Sequence, residues 1–139
     1  MRKTIIGAIG LATLCAPSAM AANIAGESVT LRALDKVTAD TRDFTVKIGD
    51  TLNYGTLDIY VAHCESRPPE ETPETYAFVQ ISDRGLTAKI EDGEEPAPKL
   101  FSGWMFGSNP ALSALDHPVY DIWPLACNAP PQAEDEDEF

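Results

Sequence analysis

Histidine and serine side chains offer the first route to chemistry in this sequence. A serine hydrolase needs a serine, a histidine and a carboxylate that converge. The histidines are His63 and His117, and Ser102, Ser108 and Ser113 lie in an apolar region. No serine lies in a G-x-S-x-G motif, which would place it on a nucleophile elbow. The sequence therefore contains candidate residues for hydrolysis but no motif that assigns it.

Asp116 directly precedes His117 and Pro118. Neighbours in sequence rarely orient each other as a catalytic triad requires, so we expect a turn here that ends a short helix. In this interpretation, the imidazole bonds to nearby backbone carbonyls. The alternative is a small hydrolase-like enzyme that uses His117 with Asp116 or Asp121 and a nearby serine.

Metal ligands are sparse. A zinc or copper site takes three or four His, Cys or carboxylate ligands, and the two histidines here belong to separate elements. Calcium prefers loop oxygens, which Glu91–Glu95 around Gly93 could supply. That run lacks the alternating ligands of an EF-hand loop, and acidic loops are usually solvated. We expect no metal and no cofactor, and leave calcium open at the acidic loops.

Large aromatic side chains concentrate in the carboxyl-terminal half. Phe101 and Met105 share one face of an expected strand, and Trp104 and Phe106 share the other. One face would then be core and the other a groove or partner surface. The alternative is that all these rings are core. The candidate surface residues are Trp104, Phe106, His117 and Tyr120.

Residues 1–21 have the three zones of an export signal. Arg2 and Lys3 precede an apolar stretch too short to span a bilayer, and Ala19 and Ala21 form an A-x-A cleavage site. We expect cleavage near Ala21 and a periplasmic mature protein that does not span the membrane.

Two cysteines remain after cleavage, because Cys15 leaves with the signal. Cys64 and Cys127 belong to no C-x-x-C motif, which disfavours a metal pair or a reactive thiol. We expect one intramolecular disulfide, since bridges persist outside the cytoplasm. Closing a loop of this length stabilises a small domain by about 4 kcal/mol.

The mature chain is strongly acidic. Removing Arg2 and Lys3 changes the formal charge from −12 to −14, because residues 1–21 hold no Asp or Glu. This charge argues against nucleic acid as a partner and is compatible with cationic partners. We expect one β-rich domain over 22–128 and a disordered acidic tail over 129–139.

Apolar residues alternate with a period of two in most of the domain, as along Val29, Leu31 and Ala33. This pattern is typical of half-buried antiparallel strands. Pro110 suits the first position of a short helix, and Pro124 indicates an edge or a bulge in the last strand. The predicted fold is all-β: a small antiparallel sandwich or partly open barrel with one short helix.

Several segments together resemble an alphaproteobacterial secreted family known as domain of unknown function 2155. They are Arg32–Lys36, Cys64–Glu70, Phe101–Phe106 and Pro110–Asp121, continuing to Cys127. The resemblance implies export, a single small domain and the Cys64–Cys127 pair. It implies no activity. Genes of such proteins often lie near one for a respiratory complex I accessory protein, which suggests an envelope-complex partner.

Three functions remain as hypotheses. The first is a non-enzymatic periplasmic binding or accessory module that docks an envelope protein or complex. The second is the hydrolase described above. The third is a module for a cell-wall glycan, on which Trp104 and Trp123 would stack.

Overall fold

The computed structural model describes residues 22–86, 89–90, 93–94 and 96–130. This part of the chain contains ten strands and almost no helix. The strands are β1 (Ile24–Ala25), β2 (Ser28–Asp35), β3 (Asp40–Lys47), β4 (Thr51–Tyr54), β5 (Leu57–Ser66), β6 (Thr75–Asp83), β7 (Lys89–Ile90), β8 (Gly93–Glu94), β9 (Lys99–Phe106) and β10 (Tyr120–Asn128).

Two antiparallel sheets form the body of the domain. The larger has the order β1-β5-β6-β9, with β4 also pairing with β5, and the smaller has the order β10-β2-β3. A separate two-stranded ladder joins β7 and β8. The two main sheets do not close into a barrel. The predicted all-β fold is confirmed, and of its two forms the sandwich is the one observed.

The core lies between the two sheets and follows the alternation in the sequence. Val29, Leu31 and Ala33 of β2 are fully buried, as are Ala77 and Val79 of β6. Their neighbours along each strand point to the opposite face, because successive side chains alternate across a strand. The other buried apolar residues are Val46, Leu57, Ile59, Val61, Cys64, Ile81, Met105, Leu115 and Ile122.

The disulfide Cys64–Cys127 joins the two sheets, because Cys64 lies in β5 and Cys127 in β10. The predicted bridge is therefore present, and its Cα atoms are 5.7 Å apart. Gly26 passes directly against it where the chain crosses from β1 to β2. A Cβ at this position would lie 2.3 Å from Cys127 Sγ and 2.8 Å from Cys64 Sγ, so only glycine fits.

The predicted short helix is a 3-10 turn at Pro110–Ser113. Asn109 makes no side-chain capping bond, and Ser108 donates its hydroxyl hydrogen bond to Glu74 of the neighbouring loop. Pro124 lies in β10 at the edge of its sheet, and the register shifts just after it, as expected for a proline in a strand.

The predicted signal peptide at 1–21 and the acidic run 134–138 of the predicted disordered tail lie outside the described residues. Within the described ranges, no helix is long and apolar enough to cross a membrane.

Candidate functional site

The outer face of the five-stranded sheet carries several aromatic rings. Because Ala77, Val79 and Ile81 point into the core, the alternate residues of β6 point away from it. The same alternation applies to β5 and β9. We call this surface the aromatic face, formed by Tyr60, His63, Tyr76, Phe78, Trp104 and Phe106.

The strand register brings these rings into rows across the sheet. His63 lies opposite Phe78, and Phe78 lies opposite Trp104. The ring centroids of Phe78 and Trp104 are 5.4 Å apart, and those of His63 and Trp104 are 5.9 Å apart. Tyr76 and Phe106 form the next row, with centroids 5.8 Å apart. All three pairs are edge-to-face, the arrangement that aromatic quadrupoles favour.

A bulge in β5 makes the first row possible. The register between β5 and β6 shifts between Val61 and His63, which inserts Ala62 as an extra residue. Val61 and Cys64 therefore both reach the core, while His63 lies on the outer face. Bulges redirect side chains in this way, often near binding sites.

Polar side chains border the aromatic face at the carboxyl-terminal end of β5. Arg67 donates a 2.9 Å hydrogen bond to the Tyr76 hydroxyl, and its guanidinium carbon lies 6.0 Å from the ring centroid. His63 Nε2 lies 2.8 Å from a Glu65 oxygen, and Asn23 donates a 3.0 Å bond to the same carboxylate. Hydrogen bonds from His63 and then Asn23 lower the pKa of Glu65, so the Glu65 carboxylate stays ionised at neutral pH.

A shallow open depression of about 290 Å³ lies at the other end of the same sheet. Tyr60 belongs both to its lining and to the aromatic face. The depression therefore extends the aromatic face with polar groups that can orient a bound molecule. Its other lining residues are Thr51, Asp58, Gln80, Ile81, Ser82 and Lys99.

The four residues expected at a surface separate into two places. Trp104 is 39% exposed on the aromatic face, and Phe106 is half-buried beside Tyr76. His117 is only 7% exposed and lies inside the domain. Tyr120 is half-buried, with its ring stacked on His117 at 5.2 Å between centroids. Only Trp104 and Phe106 belong to the surface described above.

His117 is held by hydrogen bonds at both ring nitrogens. Nδ1 accepts the backbone N–H groups of Val119 at 3.1 Å and Tyr120 at 3.0 Å, so it carries no proton. Nε2 therefore donates its hydrogen to Asp83, 3.0 Å away. The expectation that the imidazole bonds to backbone carbonyls is wrong, because it accepts hydrogen bonds from the backbone amides of Val119 and Tyr120 instead.

Asp83 holds the other end of this buried pair. Burial acts to raise the pKa of Asp83, but hydrogen bonds from Thr56, His117 and the Gly85 amide outweigh it and lower that pKa. The carboxylate therefore stays ionised at neutral pH. The pair locks the chain segment before β10 against the end of β6.

The arrangement around His117 does not form a hydrolytic site. A general base needs a free nitrogen facing a hydroxyl, and both nitrogens of His117 are occupied. The Asp121 carboxylate accepts the Ile122 amide, and Ser108 bonds to Glu74. The ring nitrogens of His117 thus bond to none of the serines, Asp116 or Asp121 considered for hydrolysis.

The two tryptophans considered for glycan stacking lie on opposite sides of the sandwich. Trp123 flanks the buried Ile122 and Pro124 in β10, so it points out of the three-stranded sheet. Trp104 points out of the five-stranded sheet. One sugar chain cannot stack on both rings in a single site.

Among the described residues, no three His, Cys, Asp or Glu side chains cluster as metal ligands. The calcium hypothesis involved Glu91, Asp92, Glu94 and Glu95, and these side chains lie outside the described part of the structure.

Several residues of these sites do not stand out in the sequence. Tyr60, Tyr76 and Phe78 were not singled out, although the alternation in β5 and β6 places them opposite the buried residues. Asp83 continues the buried series Ala77, Val79 and Ile81, so the same period of two indicates a buried acid.

Comparison with known proteins gives a family and no activity. The family model for DUF2155, an uncharacterized protein conserved in bacteria, matches residues 29–127. An uncharacterized protein of Rickettsia prowazekii is 27% identical over 95 residues, which is 68% of this chain and 57% of the relative. The chain thus spans a little over half of that relative's length. No solved structure matches.

Proposed function

The chain belongs to the bacterial family DUF2155, and we propose its function from its own surface. The protein is a non-enzymatic binding or accessory module that docks a protein of the cell envelope. The docking surface is the aromatic face of the five-stranded sheet.

The observation that carries this proposal is the position of the rings. The solvent-facing side of a β-sandwich sheet usually carries polar residues. Here Trp104 and Tyr60 are each 39% exposed on that side. Half-buried Phe78 lies opposite Trp104, and half-buried Phe106 lies in the next row. Contiguous exposed apolar surface with a polar border marks an interaction site.

The residue types fit a protein partner. Trp, Tyr and Arg are enriched at the centres of protein interfaces, because they combine large apolar area with a hydrogen-bonding group. Trp104, Tyr60, Tyr76 and Arg67 provide this combination here. The formal charge of −14 that remains without residues 1–21 favours a partner with a basic surface.

The proposed location is the periplasm. Residues 1–21 have the pattern of an export signal, and the Cys64–Cys127 bridge suits an oxidising compartment. A respiratory complex of the inner membrane is the narrower partner that this location and the family resemblance suggest.

A pair of tryptophan substitutions tests the proposal. Trp104→Ala removes the centre of the aromatic face, and Trp123→Ala removes a half-buried tryptophan from the other outer face. Each tagged variant is purified from envelopes of intact cells, and the recovered partners are quantified. We expect Trp104→Ala to lower partner recovery by roughly tenfold, as for an interface hot spot. Trp123→Ala should leave recovery unchanged.

Thermal unfolding of both variants separates binding from stability. The comparison counts only for protein that is folded at the temperature of the purification. Full partner recovery with folded Trp104→Ala protein would contradict the proposal, as would an equal loss with both variants.

A further inference from the structure

Edge strands show how each side of this sandwich is protected from other chains. An edge presents unpaired N–H and C=O groups, which natural proteins blunt with charges, prolines, bulges or short strands. In β3 four of the eight residues are charged: Asp40, Arg42, Asp43 and Lys47. In β10 the edge holds Pro124 followed by a register shift. On the remaining edge, β1 and β4 have two and four residues.

The edge formed by β9 lacks charges, prolines and bulges over most of its length. The 3-10 turn at Pro110–Ser113 packs against this strand, but the backbone hydrogen bond of that turn stays within it, from the Leu112 amide to the Asn109 carbonyl. The strand spans eight residues with a single charge, Lys99, and no proline. Its register shift lies at Leu100, so Phe101–Phe106 forms a regular edge. Within the described ranges, no strand pairs with the side of β9 that faces away from β6.

The hydrogen-bond pattern identifies the free groups of this edge. The Gly107 amide bonds to the Thr75 carbonyl at 2.8 Å, which sets the alternation between β9 and β6. The odd-numbered residues from Phe101 onward therefore bond to β6. Ser102, Trp104 and Phe106 direct their N–H and C=O groups towards the free edge.

These three residues are also the ones whose side chains lie on the outer face of the sheet. A strand added here would bond to their backbone groups and continue the rows of the aromatic face. Its outward-pointing side chains would pack beside Trp104 and Phe106.

We propose that β9 accepts an extended segment of the partner by strand addition, with apolar residues alternating with basic ones. The proposal rests on the docking function above and names the form of the docked segment. The apolar residues would lie beside the aromatic rings, and the basic residues would complement the formal charge of −14 that remains without residues 1–21. A second copy of this chain is disfavoured because two such charges repel.

Proline substitution on the free edge tests the backbone pairing. Ser102→Pro removes an outward N–H and leaves the bonds to β6 intact. Thr45→Pro is the matched control on the edge of β3. The Ile48 amide bonds to the Glu27 carbonyl at 2.9 Å, and because bonded residues alternate along an antiparallel strand, the Thr45 N–H points away from β2 to the outer edge. The fold already contains a proline at an equivalent edge position. The Lys36 amide bonds to the Val119 carbonyl, and counting along β10 from this bond places the backbone nitrogen of Pro124 on the outer edge of that strand.

The probe is a short synthetic peptide that alternates valine and lysine, with a second version N-methylated on alternate amides. Binding is followed with the folded mature chain by amide hydrogen exchange. We expect the first peptide to protect the amides of Ser102, Trp104 and Phe106, and Ser102→Pro to weaken it by roughly tenfold. The N-methylated peptide should bind the parent chain as weakly as the first peptide binds Ser102→Pro. Thr45→Pro should bind the first peptide as the parent chain does.

Each contrary result has a distinct meaning. Equal binding of both peptides, or of Ser102→Pro and the parent chain, would overturn strand addition. If strand addition were overturned but Trp104→Ala still lost its cellular partner, docking at the aromatic face would stand without strand addition. Protection of the same amides in peptide-free protein that increases with protein concentration would identify a second copy and overturn the proposed occupant.

Discussion

At the scale of single residues, the buried Asp83–His117 pair shows that the histidine considered for catalysis has a structural role. One ring nitrogen of His117 accepts hydrogen bonds from two backbone amides, and the other donates one to the ionised carboxylate of Asp83. Removing one partner of such a pair leaves a buried polar group unsatisfied, which costs more than the bond itself contributes. The pair therefore stabilises the junction between β6 and β10.

Replacing the carboxylate tests this structural role. We expect Asp83→Asn to lower the free energy of unfolding by about 1–3 kcal/mol at neutral pH, because it removes the ionised acceptor. Partner recovery from folded Asp83→Asn protein should not change. Urea denaturation of both proteins provides the comparison.

The pH dependence follows from the lowered pKa of Asp83. A carboxyl whose pKa is lower in the folded state stabilises the protein above its unfolded pKa of about 3.9, and this stabilisation is lost as the pH falls through the folded pKa. The difference between parent and Asp83→Asn should be full at neutral pH and shrink in acid. A difference that stays constant down to strongly acidic pH would rule out the ionised carboxylate as its source.

At the scale of elements, the alternation of apolar residues predicted most strands, and the structure confirms them. It worked because both sheets have one buried and one outer face, so a period of two appears in the sequence. The same pattern placed Trp104 and Phe106 opposite Phe101 and Met105. The 3-10 turn at Pro110–Ser113 was indicated by its first proline and not by a period, and the ladder of β7 and β8 gave no signal, because such short elements have no period.

What the sequence could not predict is which strands lie side by side. The aromatic face depends on β6 pairing with both β5 and β9, and on the bulge that redirects His63. Asp83 and His117 come together only through the packing of segments 34 residues apart. Contacts of this kind depend on sheet order, which local patterns do not encode.

The bridge between β5 and β10 is the element that ties the sheets together. Replacing both Cys64 and Cys127 by Ala should lower the free energy of unfolding by about 2–5 kcal/mol. Alkylation of the non-reduced, denatured mature protein should label neither cysteine. Labelling of either sulfur in freshly isolated oxidised protein would contradict the bridge.

At the scale of the whole molecule, the two outer faces of the sandwich differ. The three-stranded sheet has an ion pair between Arg32 and Asp43 at 2.7 Å on its outer side, beside Trp123. The five-stranded sheet has aromatic rings there and, along Phe101–Phe106 of β9, an edge without charges or prolines. This asymmetry is why we assign docking to one side of the molecule.

Photocrosslinking in intact cells tests that assignment most directly. A photoreactive phenylalanine analogue replaces Tyr60 on the aromatic face, or Trp123 on the opposite outer face, in the full chain. We expect a discrete crosslinked protein from the Tyr60 position and none from the Trp123 position. Crosslinking from the Trp123 position alone, equally from both, or from neither would contradict docking through the aromatic face.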